Sequence, residues 1–100
     1  MPVDLPAITA HRIIPVVVLD RADRADGLAR ALVAGGLPVA EVTFRTDAAA
    51  ESIAAMAARG DLLVGAGTVL AVEQVHRALA AGASFIVSPG YSQAVVDECL

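Results

Sequence analysis

The sequence predicts an α/β fold of about four β-α units around a parallel sheet, and three observations carry that reading. Four apolar runs of strand length recur along the 100 residues, at 13–19, 39–44, 62–66 and 84–87. Each is followed by an alanine-rich stretch with helical spacing of its apolar residues. Three of those stretches close on glycine, at Gly35-Gly36, Gly60 and Gly82, at nearly even intervals. Glycine just past a helix end takes the left-handed conformation without strain. Strands that alternate with helices pair in parallel, because a parallel return needs a crossover.

The first strand is expected over 13–19, with Pro15 in it; a proline lacks the ladder donor, which suits an edge or a bulge. Asp20 is the candidate cap of the first helix, with Asp23 in an acidic first turn and Leu28, Leu32 and Val33 on its apolar stripe. The second strand covers 39–44. Thr46 or Asp47 is expected to cap the second helix, whose buried stripe is Ile53, Met56 and Ala57. After the third strand, Val72, Val75 and Leu79 form the stripe of the third helix. After the fourth, Ser92 is the candidate cap of a last helix with Val95, Val96 and Leu100 facing inward. No stop signal of glycine, proline or a basic residue stands at Leu100, so residues 1–100 are expected to be the N-terminal part of a single domain.

Two architectures fit, an open doubly wound sheet or an arc of a (β/α)8 barrel. The run Ala40-Glu41-Val42-Thr43-Phe44-Arg45-Thr46 helps to choose. As a strand it turns Ala40, Val42 and Phe44 to one side and Glu41, Thr43 and Arg45 to the other. Alone, such a segment equally suits a half-exposed antiparallel strand. In a doubly wound sheet the polar face would be buried under a helix. In a barrel it faces the lumen, whose upper end is where active sites form. A half-barrel of four units is therefore expected.

Composition removes several function classes. Net charge is −4, with seven arginines and no lysine, and 3% of residues are aromatic. Without a basic patch or stacking platform, nucleic acid is not an expected partner. No apolar run approaches the about 20 residues of a membrane span, and residues 1–12 lack the pattern of a signal peptide, so a soluble cytoplasmic protein is expected. Cys99 is the single cysteine, which leaves no internal disulfide and no thiolate metal cluster. His11 is placed in the lead-in and His76 on a helix surface; without ligand spacing, no metal site is expected.

In a barrel, functional side chains stand at the carboxyl ends of strands. Three places qualify: Glu41 and Arg45, the turn Gly65-Ala66-Gly67-Thr68, and Ser88-Pro89-Gly90. The glycines of the second have two readings. They permit a sharp strand-to-helix turn, or they let backbone N–H groups and the Thr68 hydroxyl approach an anion.

Taken in order, Glu41-Val42-Thr43-Phe44-Arg45-Thr46, Val64-Gly65-Ala66-Gly67-Thr68-Val69 and Ile86-Val87-Ser88-Pro89-Gly90 closely resemble the 2-keto-3-deoxy-6-phosphogluconate aldolase family, which includes 4-hydroxy-2-oxoglutarate aldolases. The resemblance runs from about Ile13 to Leu100 and implies a TIM-barrel class I aldolase that splits a phosphorylated 2-keto-3-deoxy sugar acid into pyruvate and an aldehyde through a lysine imine, without a metal or other cofactor. It implies that Glu41 is the general acid/base, that Arg45 and Thr68 bind the keto-acid carboxylate, and that Pro89 lines the pyruvate pocket. It also implies a homo-oligomer, commonly a trimer. The departure is the missing lysine: the family's imine-forming residue belongs to the second half of the barrel, so a truncated chain is expected. The competing reading is a non-catalytic half-barrel that self-associates or binds small carboxylates. Another phosphosugar barrel enzyme would explain the strand-helix repeat but not Glu41 together with Arg45.

Overall fold

A computed structural model describes residues 5–100. The start of the lead-in, with the Met1 amine, lies outside the described residues. The elements are α1 (Leu5–Thr9), β1 (Val16–Val17), a 3-10 turn (Ala22–Arg24), α2 (Ala25–Ala34), β2 (Val39–Thr43), α3 (Ala49–Ala58), β3 (Leu63–Gly67), α4 (Val72–Ala81), β4 (Phe85–Ile86) and α5 (Gln93–Cys99). The short α1 is an element that the apolar periodicity does not predict.

All strand pairs are parallel, and the order is β1-β2-β3-β4. This order decides between the two architectures. A doubly wound sheet reverses its strand order at a switch point. Right-handed crossovers between strands laid down consecutively put every helix on the same side, and here α2, α3, α4 and α5 pack against one another in sequence. The molecule is a half-barrel with helices outside and a bare inner face.

The core lies between the outer face of the sheet and the helices. Ala40 and Val42 of β2, and Val64 and Ala66 of β3, meet Ala29, Ile53, Met56, Val75, Ala78 and Val95. Alanines on both layers allow close approach, and alanine is the strongest helix former. Ile53 and Met56 are fully buried, each contributing about 1.5–3 kcal/mol. Ser52 Oγ on α3 is buried with no hydrogen-bond partner among the described residues.

Several local expectations need correction. The first strand shrinks to Val16–Val17, an edge strand in which Pro15 contributes only its carbonyl, accepting from Glu41 N–H at 2.9 Å. No donor is needed from an edge proline. Asp20 caps nothing: the 3-10 turn follows Arg21, which pairs with Asp23 at 2.5 Å. Neither Thr46 nor Asp47 caps α3, which starts after Ala48 without a side-chain cap; the Thr46 hydroxyl donates instead to Leu19 O at 2.5 Å. Ser92 does cap α5, accepting from Val95 N–H at 3.4 Å. Leu79, Val96 and Leu100 are 50%, 37% and 96% exposed. Ala78 takes the buried place on α4 expected for Leu79, and only Val95 of the α5 stripe faces the core. The closing glycines behave as expected: Gly36, Gly60 and Gly82 have φ of +83°, +73° and +105°. Gly82 completes a Schellman cap, with its own N–H on Leu79 O and that of Ala83 on Ala78 O, both at 3.0 Å.

Candidate active site

The inner face is built by register. Val16 pairs with Glu41, Glu41 with Gly65, and Gly65 with Phe85, so these four share one face of the sheet. Glu41 stands near the middle of β2, half-buried. Burial raises its carboxyl above the ordinary value of 4.5, and the charge of Arg45 partly opposes that rise. Its side chain does not lie over its pairing partner Gly65. It slants along the sheet onto Gly67, where a Cβ would stand 2.6 Å from its Cδ and 2.7 Å from its Cγ. The place over Gly65 is taken by the Phe85 ring.

The carboxyl ends of the strands form a rim. Thr43 is fully buried, its hydroxyl donating to Val17 O at 3.2 Å. With the Thr46 bond to Leu19 O, this ties the end of β1 to the end of β2 beyond their two-residue ladder. Thr43 is thus a clamp of the rim rather than an open member of the polar stripe. Phe44 N–H donates to Gly67 O at 2.8 Å and Val69 N–H to Val87 O at 3.2 Å, which joins the loops after β2, β3 and β4. On the outer side the Phe44 ring lies 5.5 Å from the Arg77 guanidinium.

Arg45 is exposed just past β2, and neither its guanidinium nor the Thr68 hydroxyl has a hydrogen-bond partner among the described residues. Thr68 follows β3 in the left-handed region at φ +54°. For a β-branched residue this is an outlier, and such strain, of order 1–3 kcal/mol, clusters at functional sites. Pro89 is exposed in the loop after β4, where Ser88 Oγ donates to Gly90 O at 2.9 Å. Arg45 and Thr68 therefore follow adjacent strand ends, the Glu41 side chain reaches from mid-β2 toward the same rim, and Pro89 is on the next loop. A cleft of about 360 Å³ lined by Val18, Leu19, Asp20, Arg21 and Arg24 opens past β1.

Among the described residues no group of three or more His, Cys, Asp or Glu is gathered to hold a metal. His76 is on the α4 surface as expected, facing Glu98 of α5 at 2.6 Å. Sequence reasoning missed Phe85 and the role of Gly65 and Gly67. The signal was available: glycines two apart in a strand strip one face of side chains, which marks close approach from a neighbour.

Comparison with known proteins agrees with this geometry. The family model for KDPG and KHG aldolase matches residues 6–100. A 2-dehydro-3-deoxy-phosphogluconate aldolase of Treponema pallidum is 56% identical over 95 residues, covering 94% of this chain and 45% of that protein. The crystal structure of the Zymomonas mobilis ZM4 2-keto-3-deoxy-6-phosphogluconate aldolase with 3-phosphoglycerate superposes with a TM-score of 0.85 at 38% identity, over 96% of this chain and 48% of that one. The KDPG aldolase of Legionella pneumophila, with pyruvate captured at low pH as a covalent carbinolamine intermediate, gives 0.80 at 42% identity, over 85% and 42%. The chain spans about half the length of the relatives it matches. The chain belongs to the KDPG and KHG aldolase family.

Proposed function

We propose that this chain supplies the keto-acid and proton-transfer half of a class I aldolase site that cleaves 2-dehydro-3-deoxy-6-phosphogluconate to pyruvate and glyceraldehyde 3-phosphate. The carrying observation is Glu41: a half-buried carboxyl with a raised pKa lying over the bare face of β3, with Arg45 as its neighbouring charge and a strained threonine past the next strand. A carboxyl of raised pKa suits a group that must both take and return a proton.

In this reading the substrate's keto carbon is held as an imine on a lysine from outside these 100 residues, since the chain has none. Glu41 takes the proton of the substrate hydroxyl. The C–C bond breaks, its electron pair moves into the iminium, and the aldehyde leaves. The protonated Glu41 then returns the proton to the enamine carbon, and hydrolysis frees pyruvate. The planar fork of Arg45 holds the keto-acid carboxylate, the Thr68 hydroxyl donates to the same group, and Pro89 is an apolar wall. No cofactor takes part. A cytoplasmic homo-oligomer, a trimer by family resemblance, belongs to the same proposal; among the described residues no helix is long and apolar enough to cross a membrane.

The absence of lysine favours a second reading, a non-catalytic half-barrel that self-associates or binds small carboxylates. Borohydride trapping with pyruvate, read by intact mass, separates the two. The 100-residue chain should show no adduct on an internal residue. Joined to the remaining part of the Treponema pallidum relative, it should carry one pyruvate on a lysine of the added part, with Arg45→Lys weakening capture. An internal adduct on the chain alone would overturn the role assigned to the missing lysine. Capture by the joined protein that ignores Arg45 would remove that residue from the site, and no capture at all would favour the second reading.

A further inference from the structure

Leu63, Gly65 and Gly67 of β3 alternate onto the inner side, and the last two carry no side chain; Val64 and Ala66 between them are in the core. Neither glycine has a positive φ, so backbone conformation does not require glycine at either place. What both places lack is room. A Cβ on Gly65 would run into the Phe85 ring, and one on Gly67 into the Glu41 side chain. The two bare positions are covered from opposite neighbours, Gly65 from β4 and Gly67 from β2.

The register explains which side chain goes where. Glu41 is directly opposite Gly65, and Gly67 is its diagonal neighbour two residues nearer the strand end, a span that a long side chain covers. With Phe85 seated on Gly65, the Glu41 side chain extends diagonally, toward the rim that holds Arg45 and Thr68. Gly67 leaves the gap into which it settles.

We propose that Gly67 is a positioning residue: its bare backbone is the seat that fixes where the Glu41 carboxyl group stands, with Phe85 closing the alternative place over Gly65. The catalytic meaning of the seat rests on the acid/base role proposed for Glu41, but the seat itself is a property of this chain and is testable without catalysis.

The test is a double-mutant cycle in the 100-residue chain. Gly67→Ala is made in the parent and in a Glu41→Ala background, and urea midpoints are compared at one protein concentration. If the added methyl group collides with Glu41, the substitution lowers the midpoint in the parent and much less, or not at all, once Glu41 is shortened. Failure to fold in the parent alone counts the same way. An equal loss in both backgrounds, failure to fold in both, or no loss in the parent would overturn the proposal, because the glycine would then not act through Glu41. A second readout follows the Glu41 carboxyl carbon by NMR through a pH titration. Arg45 is the charge that acts on it, and the inner-face residues Val16, Gly65, Gly67 and Phe85 do not titrate. Where Gly67→Ala folds, displacement from the buried seat should move the Glu41 midpoint down toward 4.5; an unmoved midpoint would contradict the seat. In the joined protein, an intact cycle with full activity of Glu41→Gln would refute the acid/base reading while leaving the seat standing.

Discussion

Replacing Thr68 by glycine should stabilise the fold while weakening keto-acid binding. Thr68 stands at φ +54°, where an L-residue is disfavoured by about 1–2 kcal/mol. Branching at Cβ places threonine toward the upper end of that range. Glycine removes the strain but adds freedom to the unfolded chain, which offsets about 0.4–1 kcal/mol. The side chain is half-buried and its hydroxyl has no hydrogen-bond partner among the described residues, so little else is lost. The expected net gain is about 0.5–1.5 kcal/mol, or a rise of several degrees in Tm at about 4–8 °C per kcal/mol for a domain of this size. Urea and thermal unfolding followed by circular dichroism, at one protein concentration, read the gain. Pyruvate capture in the joined protein reads the loss. A variant less stable than the parent would show that the threonine side chain holds the loop in place. Unchanged capture would show that the strain serves some purpose other than substrate binding.

Three further outcomes follow from the same structure. Burial raises the Glu41 pKa above 4.5, so the folded state holds its proton more tightly than the unfolded chain; the stability this contributes is present below 4.5 and is lost as pH rises through the raised value. Glu41→Gln should therefore gain stability relative to the parent between pH 4 and pH 7 in urea unfolding, and the opposite trend would mean that pairing with Arg45 outweighs burial. Ser52→Ala should raise stability by about 1 kcal/mol, because it removes a buried hydroxyl without a partner and favours the helix; a loss in the same melts would reveal a partner for the hydroxyl. The 100-residue chain should self-associate in sedimentation, because both sheet edges are open and Val16 of β1, with Ile13 and Val18 beside it, is exposed, at 61%, 66% and 49% respectively; a compact monomer at micromolar concentration with strongly protected strand amides would contradict this.

The features readable in the sequence were those set by local periodicity and backbone need. The four strands, the alternating faces of β2 and the positive φ of Gly36, Gly60 and Gly82 all follow from spacing of apolar residues and the cost of left-handed backbone. Errors arose where tertiary contacts decide. Thr46 would cap a helix in isolation, yet its hydroxyl is drawn to Leu19 O by the pairing of β1 with β2. Leu79 lies on an apolar stripe, yet the smaller Ala78 is what fits between α4 and the sheet. Arg45 and Thr68 are readable as residues just past strand ends, and Glu41 as a polar residue on the inner face of β2. The paired glycines of β3 signal a close approach, but that the approaching side chains are Glu41 and Phe85 depends on register between strands, which spacing does not encode. The role of Pro89 rests on family resemblance alone; the residue stands exposed in the loop after β4.

The most direct test of the central claim is the turnover of Glu41→Gln in the protein made by joining residues 1–100 to the remaining part of the Treponema pallidum aldolase. Cleavage of 2-dehydro-3-deoxy-6-phosphogluconate is followed by pyruvate release, and pyruvate capture by borohydride is measured alongside it. The account predicts a parent that cleaves and captures, and a Glu41→Gln variant whose kcat falls by about 10²–10⁴-fold, the range of a positioned proton-transfer group, while pyruvate binding is largely kept. A Glu41→Gln protein with near-normal kcat would contradict it.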